Sequence, residues 1–205
     1  MEQGTVPERR VNRIKAHVLT LRWELFFAAY SGGYPLRECR EIYMQILQTD
    51  AEVWNTKQSY VDFLWCVALG VLFEVDTSAV EKLKLLIRKN GCKDRLISRL
   101  LHSLDPAFPL ETRDCMPEPY RYAADLWDMD PEKATKAMED YLNKHWYQGH
   151  VEMGWYDSHK RTNNTYVGYW SLEAAAILKI LRLNDDVFKN APYYPYDLAH
   201  FRADR

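Results

Sequence analysis

The sequence has no CxxC pair. Its four cysteines, Cys39, Cys66, Cys92 and Cys115, stand far apart, so the usual spacings for structural zinc and dithiol chemistry are missing and a disulfide framework is not expected. Each should sit reduced in its own helix or loop, packed as a small hydrophobe. Long apolar runs are also scarce. The most apolar stretch, Tyr60 to Phe73, is 14 residues including Asp62 and Gly70, short of the roughly 18 that would span a bilayer. It reads as a central core helix. The opening MEQGTVPERRVNR has no apolar segment of secretory type, and a cytoplasmic location is the expectation. Neither charge sign dominates: 27 Lys+Arg against 29 Asp+Glu give a formal net charge of −2. Bulk electrostatics therefore suggest no direct binding of nucleic acid or anionic membrane. Glycine is sparse, and Gly32-Gly33 is followed by Tyr-Pro rather than by the Lys-Ser/Thr of a phosphate loop. No GxSxG nucleophile elbow occurs.

What the sequence does have is rings and helical periodicity. Aromatic residues make up 14% of the 205 positions and apolar residues 47%, enough for one substantial ring-rich core. Val11, Ile14, Val18, Leu21 and Leu25 recur at three- and four-residue steps over 8–30 and predict a helix with that stripe as its buried face. A second helix follows Pro35, with Leu36, Cys39, Tyr43, Ile46 and Leu47 inward and an end near Trp54. Ser78 to Glu81 has capping-box form and predicts a helix over 80–89, closed by Asn90-Gly91. Leu96 to Leu104 continues the pattern. Prolines 106, 109, 117 and 119 make 105–119 irregular, dividing the chain into 1–105 and 106–205, two helical parts expected to pack as one unit. Helices are then predicted over 120–127, 131–146 (capped by Asp130) and 172–181 (capped by Ser171). A long loop lies at 149–168 and a Pro/Tyr-rich tail at 191–201. The fold class is all-α, a multi-helix bundle.

Three constellations carry possible chemistry. His150, Asp157 and His159 offer metal-ligand residue types and with them a metal-dependent hydrolase, but they match no HExxH or deaminase spacing; packing of these side chains, with polar tips bonded to the loop, is the plainer reading. Glu173, in the first turn of an apolar helix, suits the helix dipole and can accept a hydrogen bond from a Tyr or Trp. Charge is segregated: residues 105–160 hold 12 acidic against 6 basic residues, while 1–104 carry a net +3. Glu118, Asp125, Asp128, Asp130, Glu132, Glu139 and Asp140 can share one surface, either a solvated helical face or a docking patch for a basic protein. A generic helical adaptor with an aromatic groove is a further alternative.

Three blocks carry a resemblance. Gly154-Trp-Tyr-Asp-Ser-His-Lys160, Tyr166-Val-Gly-Tyr-Trp-Ser-Leu-Glu-Ala-Ala-Ala-Ile177 and Pro192-Tyr-Tyr-Pro-Tyr-Asp-Leu-Ala-His-Phe201 resemble the C-terminal domain of PoNi-type immunity proteins. These are bacterial antidotes encoded beside polymorphic DNase toxins of the PoNe type, many of them delivered by contact-dependent secretion systems. Residues 1–105, with Gly33-Tyr34-Pro35-Leu36 between helices, are similar to the family's N-terminal domain. The resemblance implies an all-α antidote that neutralises a cognate DNase toxin by tight binding, with no catalysis and no cofactor. Trp155, Tyr156, Asp157, His159, Tyr166, Trp170, Glu173, Tyr193, Tyr196, Asp197 and His200 then read as scaffold, and the acidic residues of 118–140 as the toxin interface.

Overall fold

A computed structural model describes residues 6–49, 53–54, 60–163 and 165–203; the first five residues of the opening segment lie outside them. The described elements are helical, in the order α1 (Val6–Ser31), α2 (Leu36–Leu47), α3 (Tyr60–Leu72), α4 (Thr77–Lys89), α5 (Arg95–Leu104), α6 (Pro117–Ala124), α7 (Pro131–Asp140), α8 (Leu172–Leu181) and α9 (Tyr196–Ala199). A π-helical segment, Tyr141–Trp146, extends α7, and short 3-10 turns fill the connections.

The predicted central helix is α3. Every residue from Phe63 to Leu72 is buried, because the segment is apolar all round and is enclosed by α2, α4, α5 and α8. Gly70 sets the approach to its neighbours: a Cβ there would lie 2.7 Å from Leu83 Cδ1 of α4 and 3.2 Å from the Tyr43 hydroxyl of α2. That hydroxyl donates to the Cys66 carbonyl at 3.0 Å. On α8, Lys179 spans the bundle, its Nζ donating to the carbonyls of Leu72 and Phe201, each at 2.9 Å, and pairing with Glu74 at 3.1 Å. The tail is thereby tied to the end of α3.

On α1 the helix forms where expected but its orientation is reversed. Val11, Ile14, Val18, Leu21 and Leu25 are all exposed, by 38–55%. The buried face is Leu19, Trp23, Phe26, Phe27 and Ala29. Both sets recur at helical steps; the aromatic set removes more apolar area per residue from water, so it takes the core. The helix α2 ends at Leu47, short of Trp54. At α4 the cap is Asp76, whose carboxylate accepts from the Ala79 N–H at 2.9 Å, rather than Ser78; Asn90 and the left-handed Gly91 (φ 62°) close it as expected. Asp130 caps α7, accepting from the Lys133 N–H at 3.0 Å.

Candidate functional site

Three regions collect the residues singled out by the sequence. The first is an aromatic assembly around the 147–170 loop. His150 is fully buried. Its Nδ1 meets the Trp146 carbonyl and its Nε2 lies 2.7 Å from the Tyr120 hydroxyl. A carbonyl only accepts, so Nδ1 carries the proton and Nε2 accepts from Tyr120. Burial pushes the imidazole pKa down to about 4. Asp157 adopts a left-handed backbone (φ 55°) and accepts from the Tyr147 hydroxyl at 2.7 Å and from Lys160 at 2.9 Å. Those two contacts, Tyr147 first, hold its carboxyl below the ordinary value. His159 bonds the Tyr169 hydroxyl through Nδ1 at 2.9 Å. The three metal-ligand candidates are thus each committed to other partners. Among the described residues no three His, Cys, Asp or Glu side chains gather as a metal site requires.

Rings complete this assembly. Trp155 stacks on Trp146 with centroids 5.8 Å apart, and Tyr156 stacks on Tyr147 at 4.5 Å. Tyr193, itself at φ 65°, lies parallel to Tyr147 at 5.2 Å. Trp170 packs edge-on against Tyr30 at 4.8 Å and donates its indole N–H to Ser31 Oγ at 2.8 Å. Ser31 in turn donates to the Val167 carbonyl at 2.6 Å. Gly168 (φ 99°) sits against Ser31, where a side chain would collide with that hydroxyl. Tyr166, although it contacts Tyr169, is half exposed, so it is less a part of the packed scaffold than its neighbours. In the tail, Tyr196 donates to Asp186 at 2.9 Å and packs on His200 at 4.1 Å, while Asp197 stands exposed.

Glu173 is fully buried. Its Oε1 accepts from the Tyr141 hydroxyl at 2.8 Å and from the Ser171 hydroxyl at 2.6 Å, and burial raises its pKa above the ordinary value. The expected Tyr partner is present. Ser171, by contrast, spends its hydroxyl on this carboxylate and does not cap α8.

The second region is the acidic surface. Glu118 pairs with Arg121 at 2.7 Å, Asp125 with Arg95 at 2.8 Å, Asp128 with Arg99 at 3.1 Å, Asp130 with Lys133 at 2.8 Å and Asp140 with Lys144 at 2.6 Å. Glu132 and Glu139 are exposed on α7 and form no ion pair with a described residue. Seven residues apart, they share one helix face, and both border a groove between α7 and the 187–192 segment.

The third region joins Trp155 and Trp170 of the sequence blocks to residues the sequence did not single out. A cleft of about 390 Å³ opens between α1, α3 and the loop, walled by Trp23, Phe27, Trp65, Trp155, Tyr169 and Trp170. Glu24, Asp62 and Arg161 stand at its margin.

The comparisons with known proteins cover both halves of the chain. Residues 5–85 match the family model described as PoNe immunity protein (PoNi), N-terminal, and residues 92–198 match PoNe immunity proteins (PoNi), C-terminal. The chain belongs to the PoNe immunity protein family. A similar fold is seen in the crystal structure of protein PA2201 from Pseudomonas aeruginosa, which is 17% identical, covers 92% of this chain and 74% of its own length, and superposes with a TM-score of 0.70. That likeness concerns the fold alone. No curated protein matches the sequence. Among the described residues no helix is long and apolar enough to cross a membrane.

Proposed function

We propose that this PoNi chain is the antidote to a PoNe-type DNase toxin and neutralises it in the cytoplasm by binding, without catalysis, using carboxylates to occupy part of the toxin's cationic DNA-binding surface. The observation that carries this reading is the match of both PoNi domains across residues 5–198. A DNA-cutting protein must present positive charge to phosphates, and an acidic protein surface competes for it. The disposition of His150, Asp157 and His159 supports a non-catalytic role, since each is held by a structural partner.

The pairing pattern sharpens where the acidic surface can act. Asp125 and Asp128 hold Arg95 and Arg99, so reversing them would set like charges together and disturb the helix packing. Glu132 and Glu139 have no such duty and are the carboxylates best placed to steer a cationic partner. Steered association gains roughly 10- to 1000-fold in rate. The double reversal Glu132→Lys with Glu139→Lys should slow association with the toxin encoded beside this chain several-fold at low salt and flatten its salt dependence. Its melting temperature should hardly move, because exposed helix charges contribute about 0–1 kcal/mol. Stopped-flow or surface-binding kinetics across a salt series are the test. Association as fast as wild type at low salt would refute the acidic-surface mechanism.

A further inference from the structure

We infer that the exposed aliphatic stripe of α1 is the interface of a two-fold dimer, in which the α1 helices of two copies of this chain pair antiparallel. Val11, Ile14, Val18, Leu21 and Leu25 are exposed by 38–55%, and Ala28 is exposed in line with them. Their steps of 3, 4, 3, 4 and 3 residues are the a/d alternation of a coiled-coil seam, a narrower stripe than a helix turns toward a protein core. The core face of α1 is the separate aromatic set, so the seam is surplus to the fold. Residues 7–14 are exposed on every side; the first two turns of α1 extend past the body of the protein. At the other end of the seam, Leu25 and Ala28 line a groove of about 450 Å³ together with Tyr34 and with Glu38, Glu41 and Ile42 of α2.

The step pattern reads the same in both directions. A two-fold axis between Val18 and Leu21 therefore sets Val18 against Leu21, Ile14 against Leu25 and Val11 against Ala28 of the other copy, each pair occurring twice, as an isologous interface requires. This alignment lays the projecting turns of each copy into the groove of the other. Charge selects the same direction. The projecting half carries Arg9, Arg10, Arg13 and Lys15 against Glu8, whereas the groove is edged by Glu38 and Glu41, which form no ion pair with a described residue. Of the nearby cations, Arg22 donates to the Gln45 carbonyl at 2.8 Å, and Arg37 and Arg40 do not line the groove. A parallel pair would set the two basic halves side by side, at a cost in repulsion. Other occupants fit less well. A flat bilayer cannot enter the groove that holds Leu25 and Ala28, and a DNA-cutting toxin would bring positive charge to the arginines of the projecting half. From Val11 to Ala28 the seam runs 18 residues, about 27 Å at 1.5 Å per residue, which is too short to pair isolated helices. Here α1 is already ordered by its core face, so pairing does not have to fold it. A seam of this length belongs with the weak, reversible interfaces, and micromolar dissociation is the expectation.

Two measurements on the full chain test this. The first is sedimentation velocity over about 1–300 µM, a range that brackets micromolar affinity. A monomer–dimer equilibrium is expected. Leu21→Arg, beside the two-fold axis, and Ile14→Arg, in the projecting turns, should each raise its Kd about tenfold or more. Neither should shift the melting temperature of the dilute chain, because the two residues are 48% and 55% exposed. A chain that stays monomeric throughout, or a dimer indifferent to both variants, overturns the proposal. So does a monomeric chain whose binding to the toxin or to anionic vesicles is abolished by these variants, since the stripe then belongs to that partner. The second measurement reads direction by disulfide trapping in glutathione buffer, in a Cys115→Ser background that removes the exposed native thiol. Mixed Ile14→Cys and Leu25→Cys chains should give the crossed product in several-fold excess over either self-product. An excess of the self-products overturns the antiparallel pairing. Toxin binding by the wild-type chain tests the immunity reading separately, and neither result decides the other.

Discussion

Lowering the pH should unlock this fold through His150. The imidazole is fully buried, with Nδ1–H donated to the Trp146 carbonyl and Nε2 accepting from Tyr120 at 2.7 Å. A second proton on Nε2 would face the Tyr120 hydroxyl among the rings of Trp146 and Trp155, with no carboxylate bonded to it. The folded pKa is accordingly pushed down from 6.5 to about 4. The unfolded chain therefore takes up the proton first. The stabilisation is complete above about pH 6.5 and is lost as the pH falls toward and through 4. From those two values the loss is about 2 kcal/mol at pH 5 and about 3 kcal/mol at pH 4, a large share of the roughly 5–15 kcal/mol that holds a domain together. Asp105, Asp130, Asp140 and Asp157 have lowered folded pKa values, so their contributions fade mainly at more acidic pH. Glu173, whose pKa is raised by burial, acts with the opposite sign. The clean measurement is thus a difference: urea unfolding of wild type and His150→Gln at pH 7, 6 and 5. The variant starts less stable, having lost a bonded ring, but its slope with pH should be shallower by about 2 kcal/mol over that range. Parallel slopes would refute the reasoning. The His150 imidazole titrating near 6.5 by NMR in the folded wild-type chain would refute it without recourse to the variant.

Two further outcomes follow from the packing. On α1, Trp23→Ala should cost about 3–5 kcal/mol, while Ile14→Ser should stay within about 0.5 kcal/mol, because Ile14 is 55% exposed and Trp23 6%; thermal melts showing the reverse order would mean that the aliphatic stripe is the core face. Trp170→Ala removes the bond to Ser31 and the edge contact with Tyr30 and should cost about 2–3 kcal/mol; an unchanged melting temperature with toxin binding lost would place Trp170 in the interface alone and not in the scaffold.

Much of the fold is written locally, and α3 shows why. Its apolar residues fall on every side, so no choice of face arises and burial follows from composition alone. Asp130-Pro131 and Asn90-Gly91 are equally plain, since a cap needs only residues within one turn. The α1 error arises where local pattern is ambiguous. Two stripes, one aliphatic and one aromatic, fit the same helix, and only the neighbours α2 and α3 decide between them. Ser78 and Ser171 fail as caps for a related reason: a hydroxyl is outcompeted by the Asp76 carboxylate in one case, and is drawn to the buried Glu173 in the other.

The walls of the cleft are not legible in the sequence for a different reason. Its walls join Trp23 and Phe27 to Trp155 and Trp170, residues from opposite ends of the sequence, and no spacing rule links positions so far apart. What links them is a chain of contacts: Ser31 bonds Val167 and Trp170 across 136 and 139 residues, and Gly168 supplies the backbone turn that lets the strap lie against that hydroxyl. A site built this way is only as rigid as the loop that closes it. The packing around Tyr147, with Tyr156, Tyr169 and Tyr193 on its ring and Asp157 on its hydroxyl, serves that rigidity. Residues that look like pure scaffold in the sequence blocks therefore fix the position of the rings that face one another across the cleft. Tyr147→Phe should therefore lower the melting temperature by loosening the loop, because it frees the Asp157 carboxylate that the hydroxyl holds at 2.7 Å while leaving the rings stacked; an unchanged melting temperature would mean that the ring stacking alone fixes the wall.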